Sequence, residues 1–120
     1  MLAEVGDANV PWLIDACGAY MGQRWKTWVE LNPLTAQQYH IADGDTVVVA
    51  SSRGSLSLTA KLFEGVMPGV VAIPWGLGHA DGGRWTAGVG QSPAELVRVH
   101  EDPLTGNPYW NATCVSVRKA

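Results

Sequence analysis

The sequence predicts a mainly β protein, a small barrel of short strands with little helix. Three observations carry this. Residues Ser55 to Phe63 alternate, with Leu56, Leu58, Ala60 and Leu62 on one face and Ser55, Ser57, Thr59 and Lys61 on the other. That two-residue period marks a half-exposed strand. Thr46 to Ser51 is β-branched and apolar on both faces, which suits a strand flanked on each side. Turn residues punctuate the rest at the short intervals of a small barrel.

Each element follows from local chemistry. Ala8 to Gly22 reads as irregular, with Pro11-Trp12-Leu13 as an anchor into the core. Trp25 to Leu31 reads as a strand, rich in aromatic and β-branched residues. Asn32-Pro33 opens a short helix, Leu34 to about Tyr39, with Asn as N-cap and Pro at the first helical position. Asp43-Gly44-Asp45 is a turn before the Thr46 strand. Ser52-Arg53-Gly54 connects that strand to Ser55–Phe63 as a hairpin. Val70 to Pro74 has the look of a buried strand, and Pro93 to Val97 of a helical turn. Asp102 to Gly106 is another turn, and Ala112 to Arg118 the closing strand. The total is about five strands and one short helix. Strands with apolar faces need closure or a partner, because an open edge invites aggregation.

Composition limits the function classes. At 120 residues and 47% hydrophobic content, the chain is expected to form a single domain, residues 1–120, around one core. A net charge of −3 argues against nucleic acid, whose binders carry a basic excess. No apolar run approaches the ~20 residues needed to insert through a bilayer. The start, Met1 to Asp7, lacks the basic and apolar runs of an export signal. The default compartment is therefore the cytoplasm, with the periplasm open to a chain that belongs to an exported enzyme. Cys17 and Cys114 read as buried thiols, with one disulfide as the alternative.

The chemistry concentrates between Val70 and Gly90, which holds six of the chain's 14 glycines together with His79, Arg84, Trp75 and Trp85. Glycine lets backbone N–H and C=O groups approach a flat or phosphorylated ligand, since no Cβ intervenes. Arg and His add charge-assisted donors, and Trp adds stacking faces. The same composition also suits a surface loop without a ligand. His40 and His100 fit no metal-ligand spacing. Trp25, Trp28 and Trp110 read as core or barrel-end packing. No nucleophile–base pair suggests a free-standing enzyme.

The ordered motifs resemble a known family. Trp28-Val29-Glu30-Leu31-Asn32-Pro33, Thr35-Ala36, Ile41-Ala42-Asp43-Gly44-Asp45-Thr46-Val47 and Ser52-Arg53-Gly54 form a first block. Pro68 to Pro74, Gly76-Leu77-Gly78-His79, Gly83-Arg84, Gly90-Gln91-Ser92-Pro93 and the Asp102–Gly106 turn form a second. Their succession resembles the C-terminal molybdopterin-dinucleotide-binding domain of the dimethyl-sulfoxide-reductase superfamily. Asn9-Val10-Pro11-Trp12-Leu13 resembles the branch of polysulfide and thiosulfate reductases.

The resemblance implies a six-stranded double-psi β-barrel. Its loops would contact a bis-molybdopterin guanine dinucleotide cofactor, and the metal chemistry would belong to that cofactor. Carried over by position, Gly76, Gly78 and His79 lie against a pterin, with His79 hydrogen-bonding it. Arg84 donates to pterin or pyrophosphate oxygens, and Gln91 stands where the family usually has Asn. Asn32 matches a family motif too and joins the candidate cofactor contacts, although a helix cap is the favoured reading of it. The expected function is thus a cofactor-binding module, inactive alone and not retaining the cofactor by itself. Its expected partners are the remaining domains or subunits of a molybdenum oxidoreductase. Because the family domain opens with a strand upstream of Gly6, the barrel is expected to lack its first strand and the isolated chain to self-associate. The rival reading is a structural or interaction protein that keeps the barrel without the cofactor.

Overall fold

A computed structural model describes residues 26–78, 84 and 87–120. The core begins with the hairpin. β2 (Thr46–Ala50) pairs antiparallel with β3 (Ser55–Leu62), Val48 opposite Ser57. The connection is closed by Ser51 N–H on the Gly54 carbonyl at 2.9 Å and by Arg53 N–H on Ser51 Oγ at 3.0 Å. The alternation in β3 works as its pattern predicts: Leu56, Leu58 and Ala60 are buried, while Ser55, Ser57 and Lys61 are exposed. They pack with Val47 and Val49 of β2, both fully buried.

β1 (Trp28–Leu31) lies parallel to β3, Trp28 opposite Thr59 and Leu31 opposite Leu62. A parallel pair needs a crossover, and α1 (Pro33–Gln38) together with β2 supplies it. Asn32 starts α1 as expected: its Oδ1 accepts from Leu34 N–H at 2.9 Å. The helix closes at His40, whose φ of 54° turns the chain. Next, the Asp43–Asp45 turn clamps the end of β3. Asp43 Oδ1 accepts from Leu62 N–H at 2.7 Å, and Gly44 N–H donates to the Ala60 carbonyl at 2.8 Å.

β4 (Val71–Ala72) pairs antiparallel with β1, and β7 (Ser116–Lys119) with β2. The order is β4-β1-β3-β2-β7, one curled five-stranded mixed sheet. A separate hairpin, β5 (His100–Glu101) with β6 (Pro108–Tyr109), stacks the His100 and Tyr109 rings at 5.4 Å. The turn between them is held by Asp102 Oδ1, which accepts from Leu104 and Thr105 N–H at 2.8 and 2.9 Å. Among the described residues the protein is mainly β, with one short α-helix and a 3₁₀ turn at Pro93–Glu95.

Several expectations need correction. The Val70–Pro74 run is not a buried strand: only Val71–Ala72 pair, and Val70 is exposed. β1 starts at Trp28, with Lys26 and Thr27 outside it, and β7 starts at Ser116 rather than Ala112. The β5–β6 hairpin is additional to the expected strands. Cys114 is exposed, and so is Trp110, at 57% of its surface. Readings on residues 1–25, including Cys17, Trp25 and the Pro11-Trp12-Leu13 anchor, lie outside the described residues.

Candidate functional site

The site grows from one end of the sheet. β4 runs antiparallel to β1, so the chain leaving Ala72 heads toward Thr27, at the start of β1. Thr27 is buried, and its hydroxyl forms a reciprocal lock with the backbone of Gln91. Oγ1 donates to the Gln91 carbonyl and accepts from Gln91 N–H, both at 2.8 Å. The Gln91 side chain is fixed as well. Its Oε1 accepts from Ser57 N–H at 3.0 Å. Because that partner is a donor, the amide oxygen must face β3 and its NH₂ the other way.

Gly78 closes the stem of the glycine-rich loop, its N–H donating to the Val89 carbonyl at 3.0 Å. It has φ 85°, and a Cβ there would fall on the backbone of Gln91 and Ser92. Gly90, at φ 70°, faces Leu77 and Thr27, and a Cβ would stand 2.8 Å from Thr27 Oγ1. Side chains are excluded by both conformation and space, so the two arms of the stem meet backbone to backbone. Gly76 is buried, with φ 114°.

The structure therefore brings Gly78 and Gln91 together at the end of β1, with Gly76 two residues before Gly78 in the chain. Arg84 is an exposed turn residue of the same loop. His79 lies outside the described residues. Asn32 is apart from this group, at the other end of β1, ~13 Å away for four strand residues. There it is buried, and its Nδ2 donates to the Val66 carbonyl at 2.7 Å while its Oδ1 caps α1.

Beside the stem lies a groove of about 790 Å³ lined by Arg53, Trp75, Val97, Arg98, Val99 and Trp110. Trp75 joins it to Gly76. Its walls are built locally. The β2–β3 turn approaches the 3₁₀ turn so closely that a Cβ on Gly54 would stand 3.1 Å from the Glu95 carbonyl. Leu96 anchors the segment that follows in the core. Thr113 ties the far wall together: its Oγ1 accepts from Arg98 N–H at 3.1 Å and donates to the Trp110 carbonyl at 2.9 Å. Arg98 carries no signal in the sequence, and Trp110 reads there as core or barrel-end packing. Residues spread from position 53 to 110 form no motif, so only the fold assembles them.

Elsewhere the chemistry is structural. Asp45 sits below the ordinary carboxylate range, mainly through its hydrogen bond with Lys119 and then through Ala42 N–H. Asp102 is lowered by the Thr105 and Leu104 amides of its turn. Among the described residues, no group of three His, Cys, Asp or Glu side chains could hold a metal ion. No described helix is long and apolar enough to cross a membrane.

Sequence similarity assigns this curled β sheet, with its glycine-walled loop stem at one end, to the cofactor-binding domains of the molybdopterin oxidoreductases. Residues 16–114 match the molydopterin dinucleotide binding domain family, and the chain belongs to it. It is 32% identical over 103 residues to the menaquinone reductase, molybdopterin-binding-like subunit of Nitratidesulfovibrio vulgaris. The match covers 82% of this chain and 15% of that subunit. It is 35% identical over 106 residues to the arsenate respiratory reductase molybdopterin-containing subunit of Shewanella sp. ANA-3, covering 82% of this chain and 12% of that one. The fold resembles acetylene hydratase from Pelobacter acetylenicus, with a TM-score of 0.63 at 23% identity over 90% of this chain and 15% of the hydratase. The chain thus spans a small part of the length of these relatives.

Proposed function

We propose that this chain is the molybdopterin guanine dinucleotide-binding module of a larger molybdenum oxidoreductase, and that its sheet is part of a double-psi β-barrel. The observation that carries this reading is the stem locked between Thr27, Gln91 and Gly78, set in a chain of this family. The residues fit the group. Gly78 lets the two arms of the stem meet backbone to backbone, and the Gln91 NH₂ beside it is without a partner among the described residues. When bound, the cofactor supplies the redox chemistry through its metal. The chain's part is to bind and orient. Gly76, Gly78 and His79 form a pterin-facing surface, Gln91 donates from its amide, and Arg84 supplies a positive donor toward pterin or pyrophosphate oxygens. Asn32 acts through the fold. Membership of the polysulfide and thiosulfate branch rests on Asn9 to Leu13 alone.

A second reading, a barrel kept for assembly without cofactor, is favoured by one relative's description as molybdopterin-binding-like. One experiment separates the two. The full chain is co-expressed with the complementary domains of a molybdenum oxidoreductase, and the purified complex is treated with acid to release GMP from the cofactor. The cofactor reading expects GMP in proportion to the chain and its loss with Gly78→Val. An assembled complex with no more GMP than the complementary domains alone would establish the second reading instead.

A further inference from the structure

We infer that a second copy of this chain docks on an apolar face beside β4, at the end of β1 opposite the loop stem. The inference does not rest on the cofactor reading. The face is built by the start of α1 and the segment between β3 and β4. Phe63 N–H donates to the Leu31 carbonyl at 2.9 Å, Asn32 Nδ2 to the Val66 carbonyl at 2.7 Å, and Gly69 N–H to Thr35 Oγ1 at 2.8 Å. Val70 N–H returns to the Met67 carbonyl at 3.1 Å. These bonds hold Leu34, Phe63, Met67 and Val70 close together, and Tyr39, one turn after Thr35, falls on the same side of α1. All five are between 46% and 70% exposed. A segment tethered in this way needs little further ordering on binding.

Area, charge and position choose the occupant. Five such side chains present on the order of 500 Å² of apolar surface, at the upper end of what a monomer leaves open. Two copies face to face would bury about 1,000 Å², where specific interfaces begin. Asn32 to Tyr39 holds no charged residue, and Phe63 to Ile73 holds Glu64 alone. A neutral face meets its own copy with little repulsion, as a two-fold contact requires. Val70 leads directly into β4, whose outer side has no described neighbour. β4 is two residues long, so strand pairing there is slight, and the adjoining apolar face supplies the burial that pairing lacks. The other open edge differs. β7 carries Arg118 and Lys119, both exposed, and charged side chains on an edge oppose pairing. The second copy therefore takes the β4 side.

Sedimentation velocity of the full chain tests this, with substitutions at each edge. The parent is expected to be a dimer that dissociates on dilution. Leu34→Glu with Met67→Glu is expected to weaken the dimer at least about tenfold, because the same charges then face each other across the two-fold axis. Leu34→Lys with Met67→Lys should do the same, and mixing the two variants should restore the dimer, which a folding defect would not allow. Arg118→Glu, on β7, should leave the dimer unchanged. Amide exchange should slow at Val70 to Ile73 as the parent is concentrated, and not at Ser116 to Lys119.

Monomer at every concentration, a dimer indifferent to the double glutamate variant, or protection at β7 in place of β4 overturns the inference. Co-expression with the complementary domains of a molybdenum oxidoreductase separates the remaining occupant. A one-to-one assembly that replaces the dimer and is itself lost with the double glutamate variant would assign the face to those domains and overturn the second copy.

Discussion

Asn32 serves the fold at two points at once. Its Oδ1 satisfies an N–H of α1 and its Nδ2 the Val66 carbonyl. Removing the cap costs about 1 kcal/mol, and leaving a buried carbonyl unpaired adds about 1–3 kcal/mol. Asn32→Ala should therefore lose about 2–4 kcal/mol in urea denaturation. Asn32→Asp, which keeps the acceptor, should lose less. Unchanged stability in Asn32→Ala would show that the residue is kept for a ligand instead. Asp45 gives a second test at this scale. Its folded pKa is depressed, mainly by Lys119, so it contributes stability above the unfolded value of about 4 and loses it as pH falls through the lower folded value. Asp45→Asn should flatten the fall in melting temperature on acidification below about pH 4. A fall as steep as in the parent would remove Asp45 from the acid response.

The elements show what the sequence could reveal. β3 and β2 were legible because alternation and β-branching act locally and packing agrees with them. Asn32-Pro33 and the Asp43–Asp45 turn were legible for the same reason, since Asn32 caps Leu34 N–H and Asp45 accepts from Ala42 N–H nearby in the chain. Val70 to Pro74 misleads because an unbroken apolar run has no period to show which residues face inward. In the fold Val71 and Ile73 pack on the core while Val70 faces out. The β5–β6 hairpin was hidden because its strands are two residues each, too short to show a period. Of the site, the glycine-rich stem was visible in composition, but its lock to Thr27 was not. Thr27 and Gln91 are 64 positions apart, and no local signal joins them. Where β3 is read correctly, its energy should follow: Leu58→Ala, fully within the core cluster, should cost about 2–5 kcal/mol by denaturation. A loss below about 1 kcal/mol would mean that the core repacks around the gap.

At the scale of the whole molecule, the described sheet ends in β4 on one side and β7 on the other. Each has a single described neighbour, and a strand with an unpaired side offers N–H and C=O groups to another chain. The isolated chain is expected to self-associate by strand pairing, most simply as a two-fold dimer. Sedimentation velocity should show dimer that dissociates on dilution. Monomer at every concentration would mean that the sheet edges are covered within one chain.

The loop stem at the Thr27 end of the sheet is proposed to face the cofactor. Amide hydrogen exchange of the full chain, assembled with its complementary domains, tests it directly by comparing cofactor-loaded with cofactor-free complex. Exchange should slow at Gly76 to Gly78 and Val89 to Gln91, while the Asp102–Gly106 turn stays unchanged. Unchanged exchange through the stem in a loaded complex would contradict the claim.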